Sequence, residues 1–319
     1  MSMGRNGRIY LFCFLLVSGL AQPVPPGGAN RRMTLDVVVT DKSGKPVSGL
    51  RQRDFTLLDN KQPRKILSFH AVEGGTATAD SPVEVILLMD AVNTAFTNVA
   101  AERNEIERFL RRNGGALAQP LSIIFLSDSG TTQTTPSRDG NAVMADLNQK
   151  QLGLRSLGRS QGEYGDAERT QVSLNALQEL IDYEVATPGR KLVVWISPGW
   201  PFVTSDSQRQ ALSDGMRQAR ITLYNIDPLG LADASQFRTT DLQALASQTG
   251  GRVFNSNNDV AGEIATCVAD ANVFYVLSFD PLAGDGSDQR HSLEIKIGKR
   301  GLTARMQSGY YAETEPHRP

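Results

Sequence analysis

Between Leu35 and Val72 apolar residues recur at every second position. Leu35, Val37 and Val39 alternate with Asp36, Val38 and Thr40, a period that predicts a half-buried strand. Asp41-Lys-Ser-Gly44 supplies a turn. Phe55 and Leu57 mark a second strand closed by Asp59-Asn60, and Leu67, Phe69 and Ala71 mark a third. Three short strands bury too little to stand alone.

After a small-residue linker, Gly74 to Ser81, the pattern changes. Val83-Glu-Val-Ile-Leu-Leu-Met89 is almost continuously apolar, as in a parallel strand covered on both faces. Val99, Ile106, Phe109 and Leu110 follow at helical spacing. Further buried strands are predicted over Leu121–Leu126, Leu192–Ile196, Ile221–Ile226 and Arg252–Phe254. Helices are predicted between them: one capped by Asp139, one through Leu174 to Ile181, and others carrying Leu212 and Met216, Leu242 and Leu245, and Val260 to Ala271. Strand–helix alternation from residue 82 to 272 predicts a doubly wound, mostly parallel α/β sheet. The period then returns to two in Phe274–Phe279, Leu293–Ile297 and Leu302–Tyr311, with turns at Asp285-Gly286 and Gly298. Neither β flank closes a core by itself. The expectation is one split β-sandwich, built from 33–73 and 273–312, with the α/β domain inserted between its halves.

The charge balance changes the picture only by exclusion. Among 319 residues, 33 Lys and Arg face 34 Asp and Glu, and 40% of positions are hydrophobic. That composition rules out a disordered chain, and it lacks the basic excess on which non-specific nucleic-acid binding depends. The amino terminus adds a compartment. Arg5 and Arg8 precede an apolar run from Ile9 to Leu20 that ends in small residues, the pattern of a secretory signal peptide over residues 1–21. The competing reading is a retained anchor, but spanning a bilayer takes roughly 20 apolar residues. Residues 22–32 read as a flexible lead-in and 313–319 as a polar tail. The expected mature chain is secreted or periplasmic, without a membrane span. Losing Cys13 leaves Cys267 alone, on an apolar helical stripe where it reads as a small buried hydrophobe.

In open α/β sheets the functional crevice lies at the carboxyl ends of the strands, near the point where strand order reverses. Asp90-Ala-Val-Asn-Thr94, Ser197-Pro-Gly199 and the segment Asp166–Thr170 fall at such places. With these residues the α/β segment resembles a von Willebrand factor type A domain. The chain from about residue 33 to 312 is similar to the VWFA-related proteins of the Acidobacterial type. The similarity is carried by Leu35–Leu50 with Asp54-Phe55, by Leu88–Thr94, and by Pro188-Gly-Arg-Lys-Leu-Val-Val-Trp-Ile-Ser197. Leu245–Arg252 and Ser308-Gly-Tyr-Tyr-Ala312 complete it.

The resemblance implies a metal-ion-dependent adhesion site, in which oxygen ligands hold a hard divalent cation that keeps an exchangeable position. Carried over by position, Asp90 fits the first acid, Thr94 a hydroxyl ligand and Thr170 the loop threonine. Val92 stands where a hydroxyl belongs, and Ser197 where the second acid belongs. The implied site is degenerate, binding one Mg²⁺ or other divalent cation weakly or not at all. The competing reading has Asp90 and Asn93 capping the first helix and bonding to the loops.

Other chemistry finds less support. Ser197 lacks a Gly-x-Ser-x-Gly turn, and the three histidines, His70, His291 and His317, lie in the β flanks and the tail. No glycine-rich nucleotide fingerprint follows the first α/β strand. Trp195 reads as core. Trp200 and Phe202 are expected at the crevice mouth as anchors for a partner, packing against the neighbouring loop being the alternative. Arg155, Arg159 and Arg169 read as solvated in a long polar loop over 155–170. The expected function is an exported, non-enzymatic adhesion or interaction module. It would grip a protein partner through Asn93, Ser197, Trp200 and Phe202, on a rim of loops 90–98, 155–170 and 197–206. A periplasmic hydrolase using Ser197 and a structural cell-envelope component are the alternatives.

Overall fold

The structure, a computed structural model, describes residues 32–74, 82–150, 163–201, 204–229, 240–256, 258–281 and 290–311. The expected signal peptide and lead-in, Arg155, Arg159, Phe202, His317, the turn at Asp285-Gly286 and the tail lie outside the described residues.

The chain opens with β1 (Met33–Thr40), β2 (Phe55–Asp59), β3 (Gln62–Arg64) and β4 (Ser68–Val72). The α/β portion follows as β5 (Val83–Asp90), α1 (Phe96–Leu110), β6 (Ala116–Ser127), β7 (Gly130–Gln133), β8 (Ser137–Asp139), α2 (Gly140–Gln149) and α3 (Glu163–Glu184). It continues through β9 (Arg190–Ile196), α4 (Asp206–Gln218), β10 (Ile221–Ile226), α5 (Thr240–Gln248), β11 (Val253–Phe254) and α6 (Val260–Asn272). Four strands close the chain: β12 (Phe274–Phe279), β13 (Arg290–Ile297), β14 (Thr303–Arg305) and β15 (Gly309–Tyr311).

The central sheet runs β11-β10-β9-β5-β6-β7, with β8 also on β6. Its pairings from β11 across to β6 are parallel, while β7 and β8 add antiparallel edges. Alternate residues of each strand feed two cores. Val85, Leu87 and Met89 of β5 pack with Ile106 and Phe109 of α1, Val143 of α2, and Ile264 and Cys267 of α6. Ile86 and Leu88 pack on the opposite face with Leu177 of α3, Leu212 of α4 and Leu245 of α5. The result is a mixed α/β fold with a largely parallel sheet between two helical layers. Strand order reverses at β5, which puts the ends of β5 and β9 side by side at the crevice. Asp139 caps α2 as expected, its carboxylate accepting from the Asn141 amide at 2.9 Å.

Strands from the two ends of the chain pair with each other. One sheet is ordered β14-β1-β12-β4, the other β15-β13-β2-β3. Leu35, Val37 and Val39 of β1 share a core with Leu57 of β2, Leu277 of β12, and Leu293 and Tyr310 of the second sheet. Val38 departs from the two-residue reading. It is 1% exposed because the outer face of β1 lies against the α/β portion, in the core that also holds Val72 and Phe274. The polar strands β7 and β8 carry no apolar period and escaped the sequence reading.

Candidate functional site

Asp90 ends β5 with its side chain fully buried. Oδ1 accepts from the backbone amides of Val92 (3.0 Å) and Asn93 (2.9 Å). Oδ2 accepts from Asn93 Nδ2 (2.8 Å) and from the indole Nε1 of Trp195 on β9 (3.1 Å). Four N–H donors thus converge on the two oxygens of one buried side chain. The same Asn93 amide nitrogen also donates to Ser173 Oγ of α3 at 2.8 Å, and Ser173 in turn donates to the Arg169 carbonyl at 3.0 Å. One carboxamide thus ties the end of β5 to α3. Helix α1 itself begins beyond this turn, with Ala95 at its N-cap, so Asp90 and Asn93 brace the β5–α1 turn rather than cap the helix.

The other residues implied by the resemblance are placed as follows. Val92 is fully buried in the core shared with Trp195 and Trp200. Thr94 is 1% exposed and hydrogen-bonded to the Glu102 carboxyl. Thr170 is not on a loop: α3 begins by Glu163, and the Thr170 hydroxyl donates to the Asp166 carbonyl one turn back, at 3.0 Å. Arg169 lies on the same helix, ion-paired with Asp166. Ser197 is fully buried at the end of β9, its Oγ accepting from the Gly199 amide at 3.1 Å. Gly199 stands at φ +116°, a backbone conformation that favours glycine and turns the chain sharply away from the strand. Trp200 does not stand open at the rim. It is fully buried, edge-on to Trp195 with ring centroids 5.6 Å apart, the packing alternative for this residue.

The residues present do not fit a divalent cation at Asp90. A cation site needs converging oxygen lone pairs. Here an indole N–H and an amide NH₂ point at the carboxylate oxygen that would have to turn to the ion, and Val92 contributes no oxygen. Ser197 likewise has no histidine beside it among the described residues. His70 lies on β4, and His291 on β13 is bonded through Nδ1 to Asp59 at 2.8 Å.

Sequence reading missed Trp195 and Ser173 as partners of this turn, and it missed a second group of acids behind it. Glu102 of α1 is 2% exposed and Glu263 of α6 is 4% exposed. Burial drives the Glu102 carboxyl well above its ordinary range, and the nearby charges of Asp90 and Asp227 add to the rise. Burial, then Asp259 and Asp227, push Glu263 up to about 7. The signal was there: Glu102 falls on the stripe of Val99 and Ile106, and Glu263 on that of Val260, Ile264 and Cys267. An acid on an apolar stripe is the informative exception.

No protein-family model matches the chain, and no curated protein matches it. Among solved structures, the open conformation of the pilus adhesin SpaC from Lactobacillus rhamnosus GG is similar at 11% identity, with a TM-score of 0.41, over 86% of this chain and 48% of that one. Manganese-loaded TRAP protein of Plasmodium vivax aligns at 12% identity and TM-score 0.39, over 79% of this chain and all of that one. Proximal thread matrix protein 1 of the mussel byssus gives 13% identity and TM-score 0.37, over 60% of this chain and 48% of that one. The chain thus spans about half the length of the adhesin and of the thread protein. The class is set by the chain's own topology, a largely parallel α/β sheet between helical layers.

Proposed function

We propose that the chain is an exported, non-enzymatic interaction module of the von Willebrand A type, its α/β portion carried on a sandwich made from the two four-stranded sheets. It binds a protein partner at the strand-end rim beside Asp90, without needing a cation. One observation carries the reading. The Asn93 carboxamide spends its nitrogen on Asp90 and Ser173, while its oxygen has no hydrogen-bond donor among the described residues. That oxygen is buried, and a buried acceptor without a donor at a switch-point crevice is the exception that calls for one, which a partner's N–H group entering the crevice would supply. The four donors on Asp90 fix the turn in advance, so docking need not order it.

Two measurements test this. Titration calorimetry with Mg²⁺, Mn²⁺ and Ca²⁺ is expected to show no saturable binding tighter than millimolar. Micromolar affinity that Asp90→Ala abolishes would restore a cation to the site. Cross-linked capture from the exported fraction, with the wild type and with Thr97→Arg, tests the partner. Thr97 is exposed at the start of α1, outside the Asp90 network. A stoichiometric protein captured by the wild type and lost with Thr97→Arg is the expected result. Capture that Thr97→Arg leaves unchanged would move the interface elsewhere, and ester, peptide or glycan turnover lost in Ser197→Ala would overturn the non-enzymatic reading.

A further inference from the structure

The balanced charge of the whole chain hides an uneven one. Residues 82–272 carry 16 Lys and Arg against 22 Asp and Glu. Residues 51–65 and 290–302, which hold β2, β3 and β13, carry nine against three. The excess of cations lies outside the sandwich core. Phe55, Leu57 and Leu293 turn inward, and along β13 the exposed residues Ser292, Glu294 and Lys296 alternate with the inward ones. Lys296 stands opposite Thr56 of β2, and Lys65, the residue after Arg64 of β3, falls on the other side of Thr56. Lys299 and Arg300 continue this outward face at the end of β13. Lys61, Lys65 and Arg300 are exposed with no acid beside them among the described residues. Lys299 pairs with Asp54 at 3.5 Å, and Lys296 reaches Glu294 only at 3.9 Å.

The opposite charge gathers on α3. Its 22 residues hold six acids and one cation, Arg169, which is already paired with Asp166. Glu168, Glu179 and Asp182 are exposed along it, and Glu179 has no cation beside it among the described residues. The same helix carries three of the four exposed large hydrophobic residues described: Tyr164 is 79% exposed, Tyr183 65%, and Val185, just past the helix end, 52%. Apolar residues scattered singly over a surface need no explanation, but three on one acidic helix supply both components of an interface. We propose that α3 of one copy of this chain docks on the outward face of the β2–β13 sheet of a second copy. Glu179 and Asp182 meet Lys65 and Lys296, and Tyr183 and Val185 shield the contact from water. Both surfaces belong to the chain, so the occupant is set by the chain's charge complementarity with itself. Unlike faces pair, so two copies can satisfy each other twice and close, or a row can grow. Asp90, Asn93 and Ser173 lie outside the contact, which stands whether or not the Asp90 rim holds a partner.

Sedimentation equilibrium tests the contact. At about 100 µM protein and about 0.05 M salt, the mass should exceed that of one chain. At about 1 M salt, where the screening length is about 3 Å, it should fall back toward one chain. Lys65→Glu/Lys296→Glu should stay single at low salt, and so should Glu179→Lys/Asp182→Lys. Mixing the two reversed proteins sets an unaltered α3 against an unaltered sheet, and the mixture should associate again, a recovery that misfolding of either would not give. Adding Tyr183→Ala to the protein whose α3 keeps its acids should loosen the mixture at least about threefold, whereas attraction between net charges alone would not feel that change. A wild type that stays single up to about 100 µM, association untouched by both reversals, or a mixture that fails to associate would each overturn the proposal. Vesicles of phosphatidylcholine with about 30% phosphatidylglycerol test the other occupant of a basic face. Vesicle binding lost in Lys65→Glu/Lys296→Glu, by a protein that is single in solution, would give the face to a membrane and overturn the second copy.

Discussion

Asn93 shows how much one side chain decides at this site. A carboxamide has two N–H bonds, and here they join Asp90 on β5 to Ser173 on α3. Asp90, Asn93, Thr94 and Ser197 were legible in the sequence as strand-end residues. Trp195 and Ser173 were not, because they reach the turn from β9 and α3, and only the packing of those elements brings them there. The buried acids belong to the same scale and make a measurable demand. Glu263 holds its proton up to about 7 in the folded protein, against an ordinary value of 4.5. The native state therefore binds more protons than the unfolded chain between those values, and stability falls as pH rises through that window. Glu263→Gln should remove much of the fall, on the order of 1–3 kcal/mol, and leave stability below about pH 4.5 nearly unchanged. Urea unfolding of both proteins between about pH 4.5 and 8 checks it; parallel profiles would show that Glu263 ionises as freely as in the unfolded chain.

At the scale of elements, buried strands and amphipathic helices were legible because their apolar periods are long. β5, β6, β9, β10, α1 and α6 fall where the spacing places them. Elements held by pairing alone were hidden. β7 is Gly-Thr-Thr-Gln and gains its place from hydrogen bonds to β6, not from a buried face. The start of α3 was hidden too, since Glu163 to Thr170 is polar enough to read as loop. β1 misled in the other direction: Leu35, Val37 and Val39 gave a clean alternation, yet Val38 opposite them is just as buried. Val38→Thr measures that second face. A solvent-facing position would accept threonine at almost no cost. Against the α/β core, the hydroxyl has to be buried, and a loss of about 1–2 kcal/mol is expected in denaturant unfolding. A change near zero would mean the outer face of β1 is wet.

For the whole molecule, the question is whether the two β-sheets and the α/β portion unfold together. Polar ties cross between them. Arg220, in the turn before β10, pairs with Asp36 of β1 at 2.6 Å. Arg305 of β14 pairs at 2.6 Å with Asp270 of α6, which is fully buried and also accepts from Tyr224 at 2.8 Å. Gly250, at φ +84°, lets the α5–β11 turn press on the Met306 backbone, where any Cβ would come within 2.5 Å. Together with Val38, Val72 and Phe274 in the α/β core, these ties predict one cooperative transition. The second sheet, which shares no strand with the α/β portion, gives the sharpest test. There Asp59 of β2 is fully buried and accepts from Tyr310 at 2.7 Å, while His291 Nδ1 lies 2.8 Å away. Asp59→Ala removes the buried acceptor that both groups share and should cost about 2–4 kcal/mol. Trp195 and Trp200 both sit in the α/β core, so tryptophan fluorescence reports on the far portion of the molecule. If the sheets and the α/β portion are one cooperative unit, Asp59→Ala lowers the fluorescence midpoint in urea by the same amount as the far-ultraviolet circular dichroism midpoint. A fluorescence midpoint that stays at the wild-type value while the dichroism signal falls earlier would separate them, and would make the two β-sheets a unit that can melt while the α/β portion stays folded.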